Sequence, residues 1–113
     1  MKKYKTTPYQ RGRAFEYRVK KRLAKNGYWT HRAYASRGTW DLLAMKPGVV
    51  LFIQVKSKRE YMNKWDWFHL GAEAERAGAI PLLAYRIRKG RERPIIFERE
   101  DGERYEMCNE TCS

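Results

Sequence analysis

Asp41, Gln54 and Lys56 are the residues whose types and spacing could act on a phosphate. Asp41 sits near the start of the apolar run Trp40-Asp41-Leu42-Leu43-Ala44. A Lys46-Pro47-Gly48 turn separates it from Val49-Val50-Leu51-Phe52-Ile53-Gln54-Val55-Lys56. If the two runs pair as a hairpin, the acid, the amide and the amine converge on one patch. Carboxylate and amide oxygens suit a hard divalent cation, and a lysine beside them can meet a phosphate oxygen or a metal-bound water. The pattern reads as a nuclease site in which Gln54 stands where a second acid is expected.

The elements that must position these groups follow from periodicity. In the run 49–57, Val50, Phe52, Gln54 and Lys56 share one face by alternation, and Val49, Leu51, Ile53 and Val55 share the other. Both faces begin apolar, as in a central strand covered on two sides. Gln54 and Lys56 then interrupt one face, and burying either without a partner would cost on the order of 1–3 kcal/mol. Ser57-Lys58-Arg59 just beyond leave open a strand end that simply surfaces into solvent.

Upstream, residues 13–26 read as a helix stopped by Gly27, with Phe15, Val19 and Leu23 as its buried stripe. Glu16 lies at the edge of that stripe and points partly inward. Two readings of it stand: a member of the site, or an i, i+4 partner of Lys20. Residues 28–35 are rich in β-formers and read as the first strand, leading into the loop Ser36-Arg37-Gly38-Thr39. Ser36, Arg37 and the Gly38 amide can donate to phosphate oxygens, although a surface turn favours the same residues. His31 has no partner at ligand spacing and reads as an ordinary strand residue.

Downstream, Trp65, Trp67 and Phe68 lie in the segment 60–70, and a helical run over 71–77 continues to Gly78. Residues 80–87 and 94–98 read as strands, with a further short strand around Tyr105. The aromatic cluster suits core, a subunit interface or base stacking, and His69 beside it reads as structural. The order of elements predicts an α/β (α+β) chain, a single domain whose central mixed β-sheet is flanked by helices. Residues 13–107 form that domain, residues 1–12 a basic, mobile arm and residues 108–113 a polar tail. The arm carries Lys2, Lys3, Lys5 and Arg11, either to meet DNA or to solubilise the terminus.

Composition agrees with a polyanionic partner. Twenty-five Lys and Arg against 13 Asp and Glu give a net charge of +12 over 113 residues, which predicts salt-sensitive binding to nucleic acid. With 42% hydrophobic and 14% aromatic residues the chain can close one core. No apolar run approaches the roughly 20 residues needed to cross a bilayer, and no signal-peptide core follows the basic start. The expectation is a soluble, intracellular (cytoplasmic) protein with no membrane partner. Cys108 and Cys112 stand alone in the tail and read as stray thiols.

The order Arg11-Gly12, Glu16, Gly27, Arg32, Ser36-Arg37-Gly38, Asp41-Leu42-Leu43-Ala44 and Gln54-Val55-Lys56-Ser57 resembles the archaeal-type Holliday junction resolvases of the PD-(D/E)XK nuclease superfamily. The likeness covers residues 10–60 in motif detail and the remainder in layout. It implies a restriction-endonuclease-like fold and an endonuclease, a homodimer that nicks branched, four-way DNA junctions symmetrically with Mg²⁺ or Mn²⁺. On the matching positions it implies catalytic roles for Glu16, Ser36, Asp41, Gln54 and Lys56. Glu16, Asp41, Gln54 and the Val55 backbone carbonyl would hold the metal. Contacts to DNA are expected from Lys2, Lys3, Lys5, Arg11, Arg13, Arg32, Arg37, Lys58 and Arg59.

Gln54 departs from the family pattern by removing one negative charge from the site. Trp40, where many superfamily members have proline, is a lesser departure. Three functions remain open: a junction endonuclease, another DNA-processing nuclease of the superfamily, and a non-catalytic basic DNA-binding protein with a vestigial site.

Overall fold

A computed structural model describes residues 7–33 and 39–106. Helix α1 (Pro8–Lys25) is followed by strands β1 (Trp29–Arg32), β2 (Leu42–Lys46) and β3 (Val49–Val55). A 3-10 turn at Arg59–Tyr61 leads to helix α2 (Lys64–Ala77) and strands β4 (Ile80–Arg86) and β5 (Ile95–Glu98). The strands form one sheet in the order β1-β2-β3-β4-β5. Every pairing is antiparallel except β3 with β4. That parallel pair needs a crossover, which α2 supplies.

The expected hairpin is present, with Leu42 opposite Ile53, Ala44 opposite Leu51 and Lys46 opposite Val49. Gly48 takes a positive φ of 81° in the turn, a conformation that costs glycine nothing. Central strands β3 and β4 are covered on both faces. On one side Phe15, Val19 and Leu23 of α1 pack with Leu42, Ala44, Leu51, Ile53, Leu82, Ala84 and Phe97. On the other, Leu70 and Ala74 of α2 pack with Phe52, Met62, Leu83, Tyr85 and Ile96. The alternation of Leu51 and Ile53 against Phe52 assigns side chains to these two cores, as the period-2 pattern requires.

Both helices begin earlier than apolar periodicity suggests. Pro8 occupies the first turn of α1; the Thr7 hydroxyl accepts from the Gln10 amide at 3.1 Å, and the Gln10 side chain accepts from the Thr7 amide at 2.9 Å. This capping box satisfies two donors that the helix leaves unpaired. Residues 8–12 are therefore helical, a correction to the expectation of an arm reaching to residue 12. Asn63 and Asp66 form the equivalent box on α2, at 2.9 and 3.2 Å. Trp65, Trp67 and Phe68 consequently lie on that helix. It ends at Gly78, in the left-handed region at φ 69°, with the Ala79 amide donating to the Ala74 carbonyl at 2.7 Å.

The first strand is shorter than expected, Trp29–Arg32, and the expected strand around Tyr105 is one bridge between Glu98 and Arg104. Among the described residues no helix is long and apolar enough to cross a membrane.

Candidate active site

At the end of β3 the chain leaves the sheet into a cavity of about 620 Å³ between α1 and the strand ends. Glu16, Arg32, Asp41, Val55, Lys56 and Ser57 line it, together with Tyr9, Arg11, Arg13, Tyr61 and Arg86. Three chain segments thus bring together Glu16, Asp41 and Lys56, as the sequence reading expects. Glu16 follows buried Phe15 on α1, so its partly inward direction is a consequence of the helix packing on the sheet.

Asp41 is held where β2 begins. Its amide donates to the Ile53 carbonyl at 2.8 Å, and its carbonyl accepts from the Ala33 amide at 3.0 Å. Its Oδ2 accepts from the Val55 amide at 2.7 Å, so the carboxylate is tied to the residue between Gln54 and Lys56. The local pattern departs from strict alternation: Trp40 and Leu43 both pack on the α2 side, while Leu42 is buried on the α1 side. Trp40 rests at 5.4 Å between ring centroids on Phe52.

Burial pushes the Asp41 carboxyl above its ordinary pKa, and the Glu16 charge adds to that. The Val55 amide, Lys56 and Arg32 oppose the shift. The two acids thus share one partly desolvated cavity.

Glu16 does not pair with Lys20. Its Oε1 accepts a charge-assisted hydrogen bond from Arg32 Nε, with side chains 17% and 35% exposed. This settles the geometry of the alternative left open by sequence.

Gln54 is placed differently from expectation. It does not line the cavity, and it follows Val50 and Phe52 on the α2 side of the alternation. Lys56 lies beyond the last residue of β3, with its amide donating to the Ala84 carbonyl at 3.0 Å. Alternation therefore stops short of it, and the shared face expected for Gln54 and Lys56 does not carry through. The Gln54 Oε1 is buried and accepts no hydrogen bond among the described residues.

The remaining expected contacts sort unevenly. Arg11, Arg13 and Arg32 line the cavity. Lys58 lies over the Tyr61 ring at 5.9 Å. Arg59 instead donates through Nε to Glu98 Oε2 at 2.7 Å, and Glu98 also accepts from the Tyr85 hydroxyl at 2.9 Å. Glu98, 7% exposed, thereby anchors the segment that follows Lys56. Lys2, Lys3, Lys5, Ser36, Arg37, Cys108 and Cys112 lie outside the described residues.

Sequence reasoning missed Tyr9, Tyr61 and Arg86. Arg86 ends β4 and reaches the cavity across the Phe15 ring, 5.0 Å from its centroid. Tyr9 accepts from Arg13 Nη1 at 3.1 Å, and that bond lowers the pKa of its hydroxyl. Apart from the Tyr9–Arg13 helical spacing, no local signal marks these residues.

Among the described residues, five basic side chains, Arg11, Arg13, Arg32, Lys56 and Arg86, line the cavity against the two acids Glu16 and Asp41. Such a rim attracts phosphate, while the acids suit a cation. Among the described residues no group of three or more His, Cys, Asp or Glu could hold a metal. Two carboxylates with neutral oxygens nevertheless fit Mg²⁺, which is commonly bound through one or two carboxylates and keeps several waters. Val55, which lines the cavity, offers a backbone carbonyl of this kind.

A sequence profile of the family described as "Archaeal holliday junction resolvase (hjc)" matches residues 7–111. A relative from Methanocaldococcus jannaschii, named crossover junction endodeoxyribonuclease Hjc, is 35% identical over 82 residues. That match covers 70% of this chain and 61% of the relative, so the chain spans less than two thirds of the relative's length. Among solved structures, Archaeoglobus fulgidus Hjc, a Holliday junction resolvase from an archaeal hyperthermophile, superposes with a TM-score of 0.64 at 23% identity. It covers 77% of this chain and 70% of that one, which establishes a common fold. The chain belongs to the archaeal Holliday junction resolvase family.

Proposed function

We propose that this protein is an endonuclease that resolves four-way DNA junctions by metal-dependent hydrolysis, nicking two strands symmetrically as a homodimer inside the cell. The observation that carries the reading is the convergence of Glu16, Asp41 and Lys56, from a helix and two strand ends, in a cavity rimmed by arginines.

Arg11, Arg13 and Arg86 bind backbone phosphates and draw the scissile one toward the acids; their contribution falls with salt. The Val55 amide holds the Asp41 carboxylate in one orientation. Glu16 and Asp41, with the Val55 carbonyl, are the residues that would hold Mg²⁺ or Mn²⁺. When bound, the ion supplies charge neutralisation at the phosphate and a more acidic water. Lys56 places a positive charge where negative charge develops during hydrolysis. The Glu98–Arg59 tie holds the backbone just beyond Lys56.

Cutting two strands symmetrically needs two such cavities. The outer face of α2 offers an interface: Trp65 and Phe68 are 71% and 63% exposed and meet edge to face at 6.3 Å. A contiguous apolar face of this kind suits association between copies.

One observation favours a second reading, a DNA-binding protein without activity: among the described residues the cavity has only two carboxylates. Single-turnover cleavage of a labelled junction separates the two. Under the nuclease reading, Lys56→Met lowers the rate by about 10²-fold or more while junction affinity stays within a few-fold. Equal rates for Lys56→Met and the wild type would remove Lys56 from the site.

A further inference from the structure

We infer that Arg32 is a built-in counter-ion for Glu16 that a divalent cation must displace, so that metal and DNA phosphate bind this site in mutual support. The inference rests on the metal-binding reading above and deepens it.

The guanidinium of Arg32 and the carboxylate of Glu16 are in direct contact, and both side chains are partly withdrawn from water. Both line the cavity that also holds Asp41 and Lys56. Glu16 and Asp41 together carry −2, and Arg32 and Lys56 carry +2, so the four groups balance without any metal. Two acids in one partly desolvated cavity repel when no cation accompanies them, and Arg32, bonded to Glu16, relieves that repulsion.

A divalent ion shared by Glu16 and Asp41 brings a further +2 beside the guanidinium. Arg32 then faces a like charge and loses its partner's lone pairs. It stands at the end of an edge strand, 35% exposed, next to the Tyr9 hydroxyl. From there a phosphate arriving in the cavity is the natural new partner, because a guanidinium binds carboxylate and phosphate by the same fork geometry. The phosphate takes Arg32, and the metal takes Glu16. Each event removes the obstacle to the other, which is a coupling free energy between two ligands and must be reciprocal.

A purely structural role, clamping α1 to β1, would make no such statement about metal affinity. Mn²⁺ binding to the DNA-free protein, read by electron paramagnetic resonance, therefore tests the inference without using activity. Arg32→Gln should bind Mn²⁺ about tenfold more tightly than the wild type, a difference of ~1.4 kcal/mol, and Asp41→Asn should bind it more weakly. If Asp41→Asn weakens Mn²⁺ binding but Arg32→Gln leaves it unchanged or weaker, the counter-ion inference fails and the metal reading stands. If Asp41→Asn has no effect, the metal reading itself fails. Should Arg32→Gln not fold, nitrogen-15 NMR of the wild type decides: Mg²⁺ should shift the Arg32 Nε–H resonance out of its carboxylate-bonded position, and an unmoved resonance overturns the inference.

Discussion

Replacing Asp41 by Asn and by Ala separates two jobs that one side chain performs. The carboxylate accepts from the Val55 amide at 2.7 Å, and it carries a charge that burial and Glu16 disfavour. Asn keeps an acceptor and drops the charge; Ala drops both and leaves the Val55 N–H without that partner. An orphaned donor in a partly buried place costs about 1–3 kcal/mol. At roughly 4 °C per kcal/mol for a domain of this size, Asp41→Ala should melt some 4–12 °C below Asp41→Asn. The sign against the wild type follows from linkage. A folded-state pKa raised above 3.8 means that the native protein binds the proton more tightly than the unfolded chain. The contribution to stability is full below the unfolded pKa and is lost as pH rises through the folded one. Asp41→Asn should therefore be more stable than the wild type at pH 7, and the gain should vanish below pH 3.8. Urea titrations followed by circular dichroism at both pH values measure this. Equal stability of the Asn and Ala variants would refute the role given to the Val55 amide, and a wild type more stable than Asp41→Asn at neutral pH would refute the electrostatic argument.

Other expectations follow from the same geometry. Gln54→Glu adds a charge at an oxygen with no hydrogen-bond donor among the described residues; it should lose on the order of 1–3 kcal/mol in denaturant titration, and Mg²⁺ should not restore that loss because Gln54 does not line the cavity, whereas a restored loss would bring Gln54 to the metal. Tyr85→Phe removes one of two donors to buried Glu98 and should cost about 1.5–3 kcal/mol in the same assay; no change would mean that Glu98 does not need this donor. Arg86→Gln should weaken DNA binding uniformly and reduce the slope of log affinity against log salt by about 1, measured by fluorescence anisotropy; an unchanged slope removes Arg86 from the phosphate contacts. Under the proposed pairing through α2, light scattering should find the wild type a dimer and Phe68→Glu a monomer, and a Phe68→Glu dimer would move the interface elsewhere.

Much of the frame was legible in the sequence because it is local. Alternation along 49–55 assigns Leu51 and Ile53 to one core and Phe52 to the other, and the four-residue spacing of Phe15, Val19 and Leu23 marks the face that α1 buries. Apolar periodicity places the helix starts too late because the stripe begins inside each helix, whereas the starts are set by Thr7–Gln10 and Asn63–Asp66 capping boxes. Those boxes are readable as polar patterns. Alternation puts Lys56 on the face of Gln54 only if it continues one residue past Val55, where β3 ends.

The partner of Glu16 was legible only in part. Lys20 is the local candidate, yet Arg32 wins because β1 lies against α1, and that contact exists only once the sheet has formed. Arg86 arrives by the parallel crossover through α2, and Tyr61 by the turn before that helix. Neither placement leaves a trace in nearby residues. The site is thus half local, in the hairpin that carries Asp41, Val55 and Lys56, and half tertiary.

The most direct measurement is the mapping of cuts in an end-labelled four-way junction and a matched linear duplex, with Mg²⁺ and with chelator. A junction resolvase should give paired nicks at symmetry-related positions of the junction, none in the duplex, and none with chelator. Tight binding without cleavage under any divalent metal, or equal cleavage of junction and duplex, would contradict the account.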